Sequence, residues 1–425
     1  MNKPFSKGHD PAGLRAAIAS GLQADFNAIA RTGTMKLVSP QAALAPWADG
    51  WAPVLTPPPD DDSRQTAAEL LEVALTSRVI DRPFHTMGIP PLVPPGAIDP
   101  LAAFGADHKG PGLGAMAFRY DRTHTGPYVS QFLLRPVPMG TNAAVLDQTV
   151  RLRNGRYGAT VATRDAILAG NVPEPQALSP TGSYMFSPRA LASYVHQDPP
   201  FLFGLQAALI LDGMKAPRST LFPSLPNETG FVTYGGAVDL HCAIAEVCRV
   251  AMKWAWNWKL LYNRRRPEEL FADQASLHPE WHQIATPWVA QLNGCLPLVY
   301  AEGAPGHADY PSGHAVIGGA CATLLKGWFA DGVMNQPVQS TNGAALTPYS
   351  GVGLTIHGEL DKLAANMGWG RNFAGIHLRS SCAAGMELGE QVALRYLQTM
   401  GQRCHEQLGA VTLRRFNGQM VFIDA

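Results

Sequence analysis

A mainly α fold, built of packed helical bundles with long Gly- and Pro-rich loops, is what this 425-residue sequence predicts. Three observations carry that expectation. Apolar residues recur at steps of three and four through most of the chain, the spacing of helices with one buried face. Residues 85–140 are instead rich in Gly and Pro and read as loops. Internal repeats and low-complexity tracts are absent, and packed bundles fit.

Taken in order, Leu14, Ile18, Leu22, Phe26 and Ile29 predict a first amphipathic helix after Asp10-Pro11. A Pro- and Asp-rich linker over 52–62 leads to a helix capped by Ser63 that carries Leu70, Leu71, Val73 and Leu75. Within the loop-rich stretch, 128–134 reads as extended, and 188–214 holds one or two apolar helices. Ile244, Val247, Ala251, Trp254, Trp258 and Leu261 form the buried stripe of a long helix running to Arg266. Pro267 biases Arg266 out of helical geometry and ends it there. Further helices are expected over 278–292, 313–329, 355–367 and 380–400. Asn417-Gly418 inside 411–422 predicts a small hairpin. The chain divides into 1–62 (helix and linker), 63–230 (helical and loop-rich) and 231–425 (a carboxy-terminal helical bundle).

Composition excludes more than it identifies. The net charge is zero and 16% of residues are charged, which points to neither nucleic acid nor a membrane surface as partner. No run of eighteen apolar residues occurs, so no transmembrane helix is expected. The start, Met1-Asn2-Lys3-Pro4-Phe5-Ser6, lacks the apolar core of a signal peptide, and a cytoplasmic protein is the expectation. Cys242, Cys248, Cys295, Cys321, Cys382 and Cys404 include no Cys-x-x-Cys and read as buried free thiols.

The chemistry gathers in four short stretches. Lys259 and Arg266 stand seven residues apart, about two helical turns, so one face could present both cations. A guanidinium offers a bidentate fork to an oxyanion and an ammonium a point charge. The same residues also fit a solvated basic helix end, and Arg264 and Arg265 are read that way. Pro311-Ser312-Gly313-His314 opens a small-residue run, Ala315 to Ala320, that reads as a close-packed helix. Ser312 is a natural N-cap, Gly313 clears room for a ligand against free amides, and His314 stands one turn in. In Arg371-Asn372-Phe373-Ala374-Gly375-Ile376-His377, a six-residue step on one helix would put Arg371 and His377 about 120° apart. A turn at Gly375 would let both reach one ligand. A neutral imidazole there suits either a bond to a metal oxyanion or nucleophilic attack on phosphorus.

In this order, Lys-x6-Arg-Pro, Pro-Ser-Gly-His and Arg-x5-His resemble the type 2 phosphatidic acid phosphatase and vanadium-dependent haloperoxidase superfamily. Residues 126–132, 187–192, 264–268 and 307–314 are similar to segments of its bacterial haloperoxidase branch. The resemblance spans about residues 64–400 and implies the same helical fold, vanadate as cofactor, hydrogen peroxide and halide as substrates, and a small organic acceptor. It implies that Lys259, Arg266 and Arg371 hold the equatorial oxygens, with Ser312 and the Gly313 amide adding hydrogen bonds. His377 would be the one protein atom on vanadium, His314 the acid–base residue, and Lys259 would also polarise bound peroxide. Homo-oligomers, dimer or higher, are implied as well.

Two positions bear on halide choice. His307 resembles the bromoperoxidase pattern and Trp256 the chloroperoxidase pattern; bromide is expected, being easier to oxidise. Many relatives carry an acidic residue four positions after the vanadate-binding histidine, where this chain has Ser381. A serine could orient the ring but adds no charge, so a less basic His377 is expected. The same residues would also serve a soluble acid phosphatase with a phosphohistidine intermediate, or an oxyanion-binding protein without turnover. The missing transmembrane run speaks against the lipid phosphatases.

Overall fold

The computed structural model describes residues 50–86, 99–109, 125–140, 145–222, 235–403 and 408–425; the helix expected over 14–29 and Cys404 lie outside them. The molecule is mainly helical, as the periodicity predicts. Its helices are α1 (Arg64–Val79), α2 (Val161–Leu168), α3 (Pro188–Tyr194), α4 (Leu202–Gly213), α5 (Ala237–Tyr262), α6 (Pro267–Ala272), α7 (Glu280–Ile284), α8 (Thr286–Val289), α9 (Gly313–Trp328), α10 (Ile356–Phe373) and α11 (Arg379–Met400). Two antiparallel strand pairs complete it. They are β1 (Val338–Gln339) with β2 (Thr347–Pro348), and β3 (Ala410–Arg414) with β4 (Met420–Asp424) in the register Val411 to Ile423. Gly418 takes a left-handed φ of 85° in the β3–β4 turn, as Asn417-Gly418 foretells.

Helix α9 forms the axis of the bundle, packed against α5, α10 and α11. Its small residues are required by that position. A Cβ on Gly319 would meet the Met386 carbonyl oxygen at 2.1 Å, and one on Gly389 would meet the Val316 carbonyl oxygen at 2.0 Å. The backbones of α9 and α11 therefore touch, which brings the starts of both helices to the same end of the bundle. Most buried apolar residues form one connected cluster from Leu55 to Ile423, with α1 and α3 packed on α10, and Tyr157, Ile167 and Ala301 form a small separate one.

Four local expectations are corrected. Helix α5 ends at Tyr262, because Asn263 closes it in the left-handed region at φ 52°, and Leu261 at its tip is exposed. Arg266 is instead the N-cap of α6, with Pro267 in the first turn where a missing N–H costs nothing. Segment 128–134 forms a 3-10 turn over Gln131–Leu133 rather than an extended piece. The Ser130 and Gln131 amides donate to Asn366 Oδ1 and Glu359 Oε2 of α10, each at 2.8 Å, which replaces a strand ladder. The helix expected over 278–292 is broken into α7, α8 and flanking 3-10 turns, with Pro287 at its centre.

Candidate active site

Lys259 lies on the buried stripe of α5, one turn beyond Ala255, and is itself 1% exposed. Its ammonium donates to the Ala308 carbonyl at 2.7 Å and the Asp309 carbonyl at 3.3 Å. Burial, then the Arg266 charge, pushes its pKa well below the ordinary lysine value. Arg266 is fully buried and ties the site together. Its Nε donates to the His307 carbonyl, and its two Nη atoms donate to His377 Nε2 at 2.9 Å and His307 Nδ1 at 3.0 Å. Burial brings even this guanidinium down to about 10.

Arg371 sits in the last turn of α10, and Gly375 turns the chain at φ 85° as expected. Its Nη1 donates to the Val195 carbonyl at 2.7 Å and the Tyr300 hydroxyl at 3.4 Å. His377 follows just ahead of α11, buried, with its pKa driven well below 6.5 by burial and then by Arg266, Lys259 and Arg371. It is therefore neutral at physiological pH, and so is His307, shifted the same way by burial and by Lys259 and Arg266. His314, in the first turn of α9, donates from Nε2 to Asp198 Oδ1 at 2.8 Å, which leaves Nδ1 as its basic nitrogen. Burial and Arg371 lower its pKa too, against the opposing pull of Asp198.

Every site residue read from the sequence is thus in one neighbourhood, with Lys259, Arg266, Ser312, Arg371 and His377 buried and His307, Gly313 and His314 half-buried. Ser312 caps α9 in backbone geometry, yet its hydroxyl makes no capping bond. Ser312 Oγ and Arg371 Nε are buried without a hydrogen-bond partner among the described residues. A Cβ on Gly313 would meet only Met252, at 3.4 Å, so packing does not demand a glycine there. Unsatisfied buried donors cost about 1–3 kcal/mol each, and clustered cations repel, so this arrangement is completed by an anion with several acceptor oxygens. Among the described residues no group of three His, Cys, Asp or Glu side chains is placed to hold a bare metal cation. The donor set fits a tetrahedral oxyanion such as vanadate or phosphate.

Two residues of the site were not singled out from the sequence. Asp198 orients His314 across 116 residues. Asp309 Oδ1 accepts from His377 Nδ1 at 2.7 Å, and its Oδ2 accepts from the Ser381 hydroxyl. Ser381 therefore does not orient the imidazole itself; a carboxylate from the 307–314 stretch does. The expectation of a ring without a charged partner is corrected accordingly. Arg264 and Arg265 are also not solvated. Arg264 donates to Ser380 Oγ and Thr66 Oγ1 and lies 3.7 Å from Asp309, while Arg265 pairs with Asp61 at 2.6 Å and Asp273 at 2.8 Å. The two halide cues prove to be neighbours, with the Trp256 and His307 rings 4.9 Å apart. Of the thiols, Cys242 is exposed rather than buried, while Cys248, Cys295, Cys321 and Cys382 are buried.

Residues 240–406 match the model of the VCPO second helical-bundle domain. A vanadium-dependent bromoperoxidase of Ascophyllum nodosum is 27% identical over 91% of this chain and 77% of its own length. These matches make the chain similar to vanadium-dependent haloperoxidases. Vanadium-dependent bromoperoxidases of Corallina pilulifera and Corallina officinalis are 30% and 31% identical over 55% of the chain, and the match spans 46% of their own length. The fold is that of a second, homohexameric vanadate-dependent bromoperoxidase from Ascophyllum nodosum, with a TM-score of 0.85 at 22% identity over 98% of this chain and 83% of that one. No described helix is long and apolar enough to cross a membrane.

Proposed function

We propose that the chain is a vanadium-dependent haloperoxidase that oxidises bromide, and the more easily oxidised iodide, with hydrogen peroxide, passing the oxidised halide to a small electron-rich organic acceptor. One observation carries this reading: three buried cations, with unpartnered Ser312 Oγ and Arg371 Nε, gather around the Nε2 edge of a neutral imidazole that accepts from Arg266. The bromoperoxidase names of its relatives agree. When bound, vanadate supplies a Lewis-acidic centre on which peroxide becomes electrophilic toward halide. The rest falls to the chain. Lys259, Arg266 and Arg371 would neutralise the oxyanion, Ser312 and the Gly313 amide would orient it, and His377 would be its protein ligand. His314 Nδ1 takes a proton from incoming peroxide, with Asp198 holding Nε2–H and stabilising the imidazolium. His307, against Trp256 and Arg266, borders the corner where halide approaches. The net change is peroxide, bromide and a proton to hypobromous acid and water.

Within the family we assign the chain to the bacterial branch on segments 126–132 and 187–192, although the relatives compared above are algal. A homo-oligomer is also proposed, in keeping with the homohexameric fold relative and with Met420 and Phe422 exposed on β4. Bromination of a diketone dye by the apo protein, with peroxide and bromide and titrated with vanadate, tests the reading. Activity that requires vanadate and is suppressed by phosphate supports it, and repeating the assay with chloride tests the halide. Ester hydrolysis inhibited by vanadate, without bromination, would make this a phosphatase instead.

A further inference from the structure

We propose that Asp309, from the loop ahead of α9, is the positioning residue for His377, and that the pair Asp309–Ser381 works as one unit in which the carboxylate could stand at either position. The inference rests on the vanadate reading above. Asp309 is fully buried, and both of its oxygens are committed. One takes the His377 Nδ1 proton at 2.7 Å; the other takes the Ser381 hydroxyl, with Arg264 at 3.7 Å. The main chain fixes the unit on both sides. The Asp309 amide donates to the Arg264 carbonyl, and the Ser312 amide donates to the Ser381 carbonyl, each at 2.9 Å. A carboxylate accepting at Nδ1 holds the proton there and keeps Nε2 the accepting nitrogen on the site side, where it takes a hydrogen bond from Arg266 Nη1 at 2.9 Å. It also returns negative charge to a ring crowded by Arg266, Lys259 and Arg371.

Ser381 stands four residues after His377 and is in hydrogen-bond contact with Asp309. Exchanging the two side chains moves the charge by about one hydrogen bond while keeping it next to the ring. The test uses the full-length apo protein as wild type, Asp309→Asn, Asp309→Ser and the double swap Asp309→Ser with Ser381→Asp. Vanadate affinity is measured by titration with vanadate alone, apo Tm by calorimetry, and the His377 Nδ1–H hydrogen bond by its ¹H and ¹⁵N shifts. Asp309→Asn keeps the shape and an acceptor but not the charge. It is expected to bind vanadate at least about 10-fold more weakly while still unfolding in one cooperative transition. Asp309→Ser should lose the downfield signature of the Nδ1–H bond as well, and the double swap should recover both that signature and affinity to within about threefold. Wild-type affinity in Asp309→Asn and Asp309→Ser, or a swap that restores Tm without affinity, would overturn the proposal. If Asp309→Ser does not fold, the Asn variant and the swap still decide it. Wild-type protein that fails to bind vanadate would defeat the functional reading instead, and the Nδ1–H measurement, which needs no vanadate, would still judge Asp309.

Discussion

At the scale of single residues, the site is recognisable by groups that protein alone leaves unfinished. Ser312 Oγ is buried and makes no hydrogen bond among the described residues, so its removal should not cost the apo fold anything. Ser312→Ala is expected to leave apo Tm unchanged or slightly raised. It should weaken vanadate binding by about 1.5–3 kcal/mol, the value of a hydrogen bond to a charged group. Calorimetry beside a vanadate titration checks both halves at once. His314 gives a pH signature. Its pKa is lowered by burial and by Arg371, so the basic form persists below pH 6.5 and the acid limb of kcat/KM should fall below that value. Asp198 opposes that shift, so Asp198→Asn should carry the limb further down and reduce kcat. The cations and histidines were legible because their order and spacing form a pattern. Asp309 was in plain view within the same stretch, but its role depends on a hydrogen bond spanning 68 residues, which no local pattern announces.

At the scale of elements, helix ends do the positioning. Arg266 is aimed by the break between α5 and α6, held by Glu269 Oε2 accepting the Arg266 amide at 3.0 Å. Burial raises the Glu269 carboxyl to about 8. A raised folded-state pKa stabilises below the unfolded value of about 4.5, and that stability is lost as pH rises through about 8. Urea denaturation between pH 5 and 9 should therefore show wild type weakening with pH and Glu269→Gln nearly flat. The α9–α11 crossing makes a second, steric prediction. Gly389→Ala puts a Cβ 2.0 Å from the Val316 carbonyl oxygen and should cost about 2 kcal/mol or more by overpacking. Gly353→Ala meets nothing within 4 Å and serves as the neutral control in the same denaturation series. The small-residue run made α9 readable as close-packed, whereas the partner helix was not encoded in it. The end of α5 was misread because Asn263 stops a helix only through a left-handed backbone, to which apolar periodicity is blind.

At the scale of the whole molecule, the amino-terminal half reaches the site through buried ions. Glu72 of α1 binds Arg379 at the start of α11 at 2.7 Å and His108 at 2.8 Å, and Glu69 accepts from Ser380. Removing one partner of such a pair leaves a charge in the interior, so Glu72→Ala is expected to destabilise by about 3–5 kcal/mol, measured by urea unfolding. These contacts also explain why Arg264 looked like a surface residue in sequence: the Thr66 hydroxyl that receives it lies 198 positions away. The touching backbones of α9 and α11 have a further consequence. Two helices that meet through carbonyl oxygens have no side chains between them to rearrange, so the seam cannot breathe while the rest of the bundle stays folded. Amide protons of residues 316–320 and 385–389 should then be among the last to exchange with deuterium, released only by global unfolding. If the proposed function holds, the helix starts that carry Ser312 and Ser381 are anchored to a seam that stays shut for as long as the bundle is folded.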